Sequence, residues 1–184
     1  MNWIFILQCI YFFLPAYFAN MAPTFAKKAG ILKFFAKPVD FGKEFNGQPL
    51  FGFHKTWRGI ISGVILGILI TYSQRLLWEF PFFRKISFFD YQEINVFFLG
   101  FLLSFGALFG DLISSFFKRR QGITPGKSWM PFDQISFVIG AFFLVHPFFQ
   151  ISILAWVFIT FSSFFLHIIV NRVGFRLKIS DGKI

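Results

Sequence analysis

Residues 110–133 read GDLISSFFKRRQGITPGKSWMPFD and carry their charges in an order that packing in a soluble core does not require. The segment begins inside an apolar run that contains a carboxylate, Asp111, and leaves this run through three consecutive cations, Lys118 to Arg120. It ends at a second carboxylate, Asp133. An ionisable side chain within a membrane span is costly and indicates a functional site by default. The segment therefore predicts an anion-handling site at a membrane surface.

The composition of the chain is that of an integral membrane protein. Hydrophobic residues make up 56% of the 184 residues, phenylalanine alone accounts for 34, and the mean hydropathy is +0.66. Charged residues make up 14%, against about 25% in soluble domains. The net charge of +10 could indicate a nucleic-acid partner, but the cations lie in loops between apolar runs, as membrane topology requires. We therefore expect the lipid bilayer, and no nucleic acid, as a partner.

Five apolar runs predict an all-α integral membrane protein with a single polytopic domain over residues 1–184. About 20 apolar residues are needed to cross a bilayer. The predicted transmembrane helices cover about residues 3–26, 59–78, 94–117, 132–146 and 148–170. On the second of them, glycine recurs every fourth residue at Gly59, Gly63 and Gly67, a spacing that lets two membrane helices approach closely.

The distribution of Lys and Arg predicts the orientation of these helices. Both residue types are concentrated in residues 27–58, in residues 118–131 and in the tail beyond residue 171, and they are sparse in the other two connections. The positive-inside rule places such basic segments in the cytoplasm. We therefore expect an N-terminus outside, a cytoplasmic C-terminus, and a multi-pass protein of the cytoplasmic (inner) membrane whose active site faces the cytoplasm.

The length of the last apolar stretch places Asp133 at the membrane edge. No Asp, Glu, Lys or Arg occurs from Gln134 to Asn171, and two crossings need about 40 residues. The fourth helix must therefore begin at or before Asp133. This aspartate then lies in the first helical turn, where the helix dipole favours an anion.

The two carboxylates have the chemistry of a hard-cation site. Mg²⁺ prefers one or two carboxylates together with phosphate oxygens and retained waters, so Asp111 and Asp133 are the predicted metal ligands. Ser114, Ser115 and Lys118 share the helical face of Asp111 by their spacing. An alternative for Asp111, a structural salt bridge to Lys55 or Arg58 on another helix, stays open.

Cations surround both predicted ligands and are expected to hold phosphate groups. They are Lys118, Arg119, Arg120 and Lys127 in the second basic segment, with Lys55 and Arg58 in the first. Arginine makes bidentate contacts to phosphate, whereas lysine acts as a point charge. Residues 121–128 do not form a Walker phosphate loop, because the first required glycine is Gln121 and no strand precedes it. For Lys118 to Arg120, a helix stop that contacts anionic headgroups is the alternative.

Phosphate-binding cations, a metal and an apolar surround together indicate phosphoryl or nucleotidyl transfer onto a lipid. Positioning and charge neutralisation supply most of the catalysis in such reactions. A lipid phosphate is already an anionic nucleophile at neutral pH. The sequence accordingly shows no convincing general base, and none is required.

Three motifs resemble the CDP-archaeol synthase family, which is similar to the CDP-diacylglycerol synthases. They are residues 110–128, the stretch His54-Lys55-Thr56-Trp57-Arg58-Gly59, and Pro131-Phe132-Asp133-Gln134, and residues 14–23 look like the family's first helix. The resemblance covers nearly the whole chain. It implies a five-helix membrane enzyme that uses CTP and Mg²⁺ to convert a lipid phosphate monoester into a CDP-lipid, with release of pyrophosphate.

The resemblance also implies roles for individual residues. It assigns the metal to Asp111 and Asp133, and catalysis to these two with Lys118 and Lys127. CTP and lipid phosphate contacts are assigned to Lys55, Arg58, Arg119, Arg120, Ser128 and Asn20. The chain departs from the family pattern at Ser136, where another acid is common, and in the tail from Gly174 onward.

Two other functions are compatible with a membrane protein of this size. A non-catalytic lipid transporter would need polar residues in both halves of the bilayer, and the outer half is nearly bare. A membrane scaffold built on the glycine-spaced helix would have no use for Asp111. Whether the acceptor is an isoprenoid ether or a diacyl lipid stays open, as does assembly into a homodimer.

Overall fold

The computed structural model describes residues 2–124 and 127–176, in which six α-helices and one short hairpin occur. The helices are α1 (Trp3–Lys28), α2 (Trp57–Leu77), α3 (Pro81–Lys85), α4 (Val96–Arg120), α5 (Phe132–Val145) and α6 (Ile153–Arg176). The antiparallel hairpin joins β1 (Glu44–Phe45) to β2 (Gln48–Pro49). The predicted all-α membrane architecture is confirmed outside this hairpin. The basic tail beyond residue 176 lies outside the described residues.

Polar side chains begin three of the long helices. The side chain of Asn2 accepts a hydrogen bond from the backbone N–H of Ile4 at 3.2 Å, and Thr56 and Asn95 cap α2 and α4 in the same way. Such caps satisfy backbone donors that have no partner within the helix. At the other end of α4, the chain turns at Gly122 with a φ of 70°, a conformation that glycine adopts without strain.

Four helices are long and apolar enough to cross a membrane, namely α1, α2, α4 and residues 153–170 of α6. Helix α5 has 14 residues and is therefore about 21 Å long, less than the hydrocarbon thickness of about 30 Å. The last span was predicted from about residue 148, whereas helix α6 begins at Ile153. The backbone N–H groups of Phe148 and Phe149 instead close a turn on the carbonyl of Val145, at 3.0 and 2.8 Å.

The glycines of α2 lie where helix backbones meet, which confirms the predicted close approach. A methyl group at Gly63 would come within 2.7 Å of the Ala19 carbonyl oxygen on α1. One at Gly67 would come within 2.4 Å of Ser104 on α4. Small residues at such contacts allow the van der Waals packing that holds membrane helices together.

Helices α4 and α5 also touch through glycine. A methyl group at Gly110 would lie 2.1 Å from the Ser136 carbonyl oxygen, and one at Gly140 would lie 2.3 Å from that of Gly106. The residue after Gly110 is Asp111, and Asp133 lies one turn before Ser136. The glycine contact therefore places Asp111 close to the first turn of α5.

The long helices alternate in direction, so one end of the bundle collects most of the charges. Gly59 packs on Pro23 while Gln74 donates a hydrogen bond to the carbonyl of Tyr11, which makes α2 antiparallel to α1. We call this the charged end: it contains the C-termini of α1, α4 and α6 and the N-termini of α2 and α5. At the opposite end, Tyr91 is 1% exposed and packs against Trp78.

Candidate active site

Asp133 joins the end of α4 to the start of α5. It lies in the first turn of α5, as predicted. Its carboxylate accepts hydrogen bonds from Lys118 Nζ at 2.6 Å, the Trp129 backbone N–H at 2.8 Å and Ser114 Oγ at 3.3 Å. Lys118 also donates to the carbonyl of Lys127 at 2.7 Å. The pair is well shielded, because the two side chains are 10% and 19% exposed.

Asp111 joins α4 to the segment between α1 and α2. Its carboxylate forms an ion pair with Lys55, and each side chain is 28% exposed. This is the contact that the sequence left open as a structural alternative. Ser114 and Lys118 were predicted on the face of Asp111, but their side chains contact Asp133, because the first turn of α5 packs against that face.

Three guanidinium groups of this end hold buried donors that have no partner among the described residues. Arg119 is 4% exposed, and its Nε and one terminal nitrogen are both unpaired. The Nε of Arg58 is buried and unpaired as well, and so are the Nε and one terminal nitrogen of Arg120. A buried donor without a partner is costly, so all three groups are suited to receive an anion.

Arg120 connects α4 to the hairpin. It donates to the carbonyl oxygens of Gln48, at 3.0 Å, and Pro49. Its guanidinium also lies over the rings of Phe116 and Phe45, at 4.6 and 5.4 Å. Arg120, one of the residues predicted to bind phosphate, thus holds the first basic segment against α4.

Asp40 fixes the shape of that segment and was missed by the sequence reasoning. Its carboxylate accepts from the backbone N–H groups of Gly42, Phe51 and Gly52 at 3.0, 3.0 and 3.2 Å. Burial opposes ionisation of the carboxylate, but these hydrogen bonds outweigh it and hold the pKa of Asp40 below its usual value. The nearby bond from Val39 N–H to the Lys55 carbonyl, at 2.8 Å, ties the loop to Lys55. An aspartate two residues before a glycine is typical of such a turn.

The remaining predicted contacts lie further from the two carboxylates. Lys127 and Ser128 are exposed, and Lys127 meets the site through its backbone carbonyl. Asn20 is half-buried on α1, and within the described residues its side chain forms no hydrogen bond with either carboxylate. The turn expected at Pro125-Gly126 lies outside the described residues.

Two side chains that were given no role in the sequence analysis also belong to this end. Gln134 is 0% exposed, and both polar atoms of its amide lack partners among the described residues, which is rare for buried polar groups. His167 of α6 packs its ring 6.3 Å from that of Phe137. No local pattern could have revealed His167, because only the packing of α6 brings it there.

An apolar groove of about 690 Å³ runs between α4 and α5. We call it the α4/α5 groove. Its lining on α4 and just beyond comes from Phe109, Gly110, Ile113, Ser114, Phe117 and Gln121; its lining on α5 and just before comes from Trp129, Phe132, Ile135, Ser136, Ile139, Gly140, Phe143 and Leu144. The volume is within the range of about 300–1,000 Å³ typical of ligand pockets. Ser114 belongs to both the groove and the Asp133 cluster.

The donors at the charged end suit a hard cation. Within residues 2–124 and 127–176, no group of three or more His, Cys, Asp or Glu side chains is placed to hold a metal ion. A Mg²⁺ site here would therefore use the two carboxylates, with phosphate and water oxygens as the other ligands, as Mg²⁺ commonly does.

The chain is similar to known proteins over most of its length. A family model described as CarS-like, CDP-archaeol synthase, matches residues 2–183. The CDP-archaeol synthase of Pyrococcus furiosus is 38% identical over 143 residues, which are 77% of this chain and 76% of the relative. That of Methanococcus aeolicus is 31% identical over 180 residues, covering 96% of this chain and 95% of the relative.

A solved structure is similar as well. It comes from a study that gives structural insight into an intramembrane enzyme for archaeal membrane lipids biosynthesis. The TM-score is 0.70 at 26% sequence identity, and the match covers 90% of this chain and 94% of the solved one.

Proposed function

The chain belongs to the CDP-archaeol synthase family, and we infer from this that it is a membrane-bound cytidylyltransferase that makes a CDP-lipid. In this reaction an oxygen of a lipid phosphate monoester attacks the α-phosphorus of CTP. The bond from that phosphorus to the pyrophosphate oxygen breaks, and pyrophosphate leaves. One observation carries the assignment to a site: the charged end joins two carboxylates and the unpaired Arg119 to the top of an apolar groove.

Asp111 and Asp133 would hold Mg²⁺ together with the phosphates of CTP. When bound, Mg²⁺ supplies neutralisation of the charge that develops during the transfer. Each carboxylate forms an ion pair with a lysine, so Lys55 and Lys118 would lie beside any phosphate bound there. We propose that these lysines, as point charges, also neutralise negative charge on the reacting and leaving phosphates.

Arg119 and Arg58 would complete the anion site. Their unpaired donors can form charge-assisted hydrogen bonds to phosphate oxygens, and arginine can do so in a bidentate way. A bound triphosphate would thereby remove the cost of leaving these donors buried without partners. Lys127 and Ser128, both exposed, would approach the nucleotide from the aqueous side.

The bundle would cross the membrane five times, with the N-terminus outside and the charged end in the cytoplasm. The basic groups gathered at that end support this orientation through the positive-inside rule. Helix α5 is too short to cross alone, and the turn at residues 146–152 would complete its crossing. In this arrangement CTP reaches the site from the cytoplasm and the lipid from the inner leaflet of the cytoplasmic membrane.

We propose an isoprenoid ether lipid phosphate as the acceptor, because the relatives are named for archaeol. The test uses protein purified in detergent, CTP and Mg²⁺, with either digeranylgeranylglyceryl phosphate or phosphatidic acid. We expect CDP-lipid and pyrophosphate from the ether lipid, at a higher kcat/KM than from phosphatidic acid. Absence of product from both acceptors would overturn the enzymatic function, and preference for phosphatidic acid would overturn the choice of lipid.

A further inference from the structure

We propose that the α4/α5 groove binds one hydrocarbon chain of the lipid phosphate, with the phosphate at the Asp133 end and the chain directed toward Phe143. This inference rests on the proposed function, because it places the acceptor lipid of that reaction. It adds the pocket that orients this substrate and the residues that select the length of its chain.

The dimensions of the groove fit a chain from a single leaflet. Its lining on α5 extends from Phe132 to Leu144, a rise of about 18 Å at 1.5 Å per residue. One leaflet contributes about half of the hydrocarbon thickness of about 30 Å. The groove therefore begins at the charged end and stops near the middle of the bilayer, as the chain of a lipid does.

The polarity of the lining changes along the groove. Ser114, Gln121, Trp129 and Ser136 lie in its half nearer the charged end. Beyond Ser136 the groove is lined on α5 by isoleucine, glycine, phenylalanine and leucine, and on α4 by Phe109 and Gly110. A ligand that is polar at one end and apolar along the rest matches this gradient, whereas a wholly apolar helix from another protein does not.

The groove is continuous with the proposed reaction site. Ser114 lines the groove, and its hydroxyl donates to Asp133 at 3.3 Å. Trp129 lines the groove too, and its backbone N–H donates to the same carboxylate at 2.8 Å. A phosphate carried on a chain in the groove would thus arrive beside Asp133 and Lys118, where the proposed reaction needs its nucleophile.

The close contact of α4 with α5 gives the groove its depth. Gly110 and Gly140 line it, and neither could carry a side chain without meeting the backbone of the other helix. The walls rise on either side as large side chains such as Phe117 and Ile139, which are 52% and 44% exposed. They face the side of the bundle, so a lipid can enter directly from the bilayer.

A bulky residue in the middle of the groove tests the proposal. In Ile139→Trp the indole would fill the path of the chain below Ser136. The matched control is Ile65→Trp on α2, where the isoleucine is 50% exposed but lies outside the groove. Both variants are assayed with a geranylgeranyl ether phosphate, with its dimethylallyl analogue, whose chains are too short to pass Ser136, and at varied CTP.

We expect Ile139→Trp to raise the KM for the geranylgeranyl acceptor by a factor of about 10 or more, as loss of about 1.4 kcal/mol of binding would. The KM for the dimethylallyl acceptor and for CTP should stay within about twofold of wild type, and Ile65→Trp should change none of the three. Equal effects on both acceptors, or no effect on either, would overturn the proposal. So would dissociation of a dimer by Ile139→Trp without discrimination between acceptors, since a second copy would then occupy the groove.

A binding measurement separates this inference from the function. A lipid phosphate with a photoactivatable group at the chain end is crosslinked to wild-type protein without CTP, and the adducts are mapped by mass spectrometry. We expect adducts at Phe143, Leu144 or Phe109. Such adducts in a protein without transferase activity would refute the function and retain the groove as a lipid site. Active protein with adducts on α2 instead would refute the groove and retain the function.

Discussion

Two lysine–aspartate pairs lie at the same end of the bundle, and their surroundings differ. Asp133 is bound by Lys118, by a hydroxyl and by a backbone N–H, with side chains only 10% and 19% exposed. Asp111 is bound by Lys55, with both side chains 28% exposed, and Lys55 comes from a loop. One pair therefore braces the junction of α4 and α5, while the other holds a loop over the site. Both carboxylates can serve the same reaction while contributing unequally to folding.

Asp133→Asn should have the largest effect, because it breaks a shielded pair as well as the proposed metal site. We expect activity to fall by several orders of magnitude. Removing one partner of a buried ion pair costs about 3–5 kcal/mol, so the thermal midpoint in detergent should fall clearly too. Glu93→Gln, an exposed carboxylate at the opposite end, is the control and should change neither. A variant with near-normal turnover would remove Asp133 from the site.

Asp111→Asn should reduce activity as severely but leave the fold almost unchanged. A partly exposed ion pair contributes about 1 kcal/mol or less. Thermal unfolding should therefore differ from wild type by much less than it does in the first variant. If both variants lose the same thermal stability, the Lys118–Asp133 and Lys55–Asp111 pairs contribute equally to folding, and the proposed difference between them is wrong.

Unlike the two aspartate variants, Arg119→Met should weaken CTP binding without lowering the thermal stability of the ligand-free protein. The arginine is buried with two unpaired donors, so its removal relieves a desolvation cost in the ligand-free protein. We expect unchanged or higher thermal stability without ligand, together with a KM for CTP raised about 10-fold to 100-fold, the equivalent of a charge-assisted hydrogen bond of about 1.5–3 kcal/mol. CTP should also stabilise the variant less than wild type in thermal shift. A large loss of stability without ligand would show that Arg119 is a structural residue.

Acidification should produce the smallest effect, through Asp40. The folded protein holds the pKa of this carboxylate below its usual value, which is about 3.9 in an unfolded chain. The stabilisation is thus present above about pH 4 and is lost as the pH falls through the lower, folded value. Phe41 lies against Trp57, at 6.4 Å between ring centroids, so tryptophan fluorescence should report this loosening below about pH 4. The change should be absent in Asp40→Asn, and an identical transition in that variant would rule out Asp40 as its cause.

The sequence predicted those features that depend on one helix at a time. Apolar length placed the helices, the uncharged run after Asp133 placed this residue in a first turn, and glycine spacing marked a close contact. The partners of the carboxylates depend on how different helices meet. Helical spacing placed Lys118 on the same face as Asp111, but because α5 packs against that face, the Lys118 side chain pairs with Asp133. The position of His167 depends in the same way on the packing of α6.

The first basic segment shows a second limit of sequence reasoning. Arg120 was predicted to bind phosphate, and one of its terminal nitrogens donates to carbonyl oxygens of the hairpin, while its Nε and other terminal nitrogen have no partner among the described residues. A search of the sequence for oppositely charged residues does not find backbone carbonyl groups, although these groups accept hydrogen bonds from arginine. Asp40 escaped notice for the same reason, since its partners are backbone N–H groups.

The central claim is that Asp111 and Asp133 act together in one CTP and metal site. Equilibrium binding of CTP to the purified protein, measured by calorimetry with and without Mg²⁺, tests it most directly. We predict that wild-type protein binds CTP tightly only with Mg²⁺, and that Asp111→Asn and Asp133→Asn each weaken this binding about 10-fold or more while abolishing its dependence on Mg²⁺. Wild-type affinity and Mg²⁺ dependence in both variants would contradict the claim.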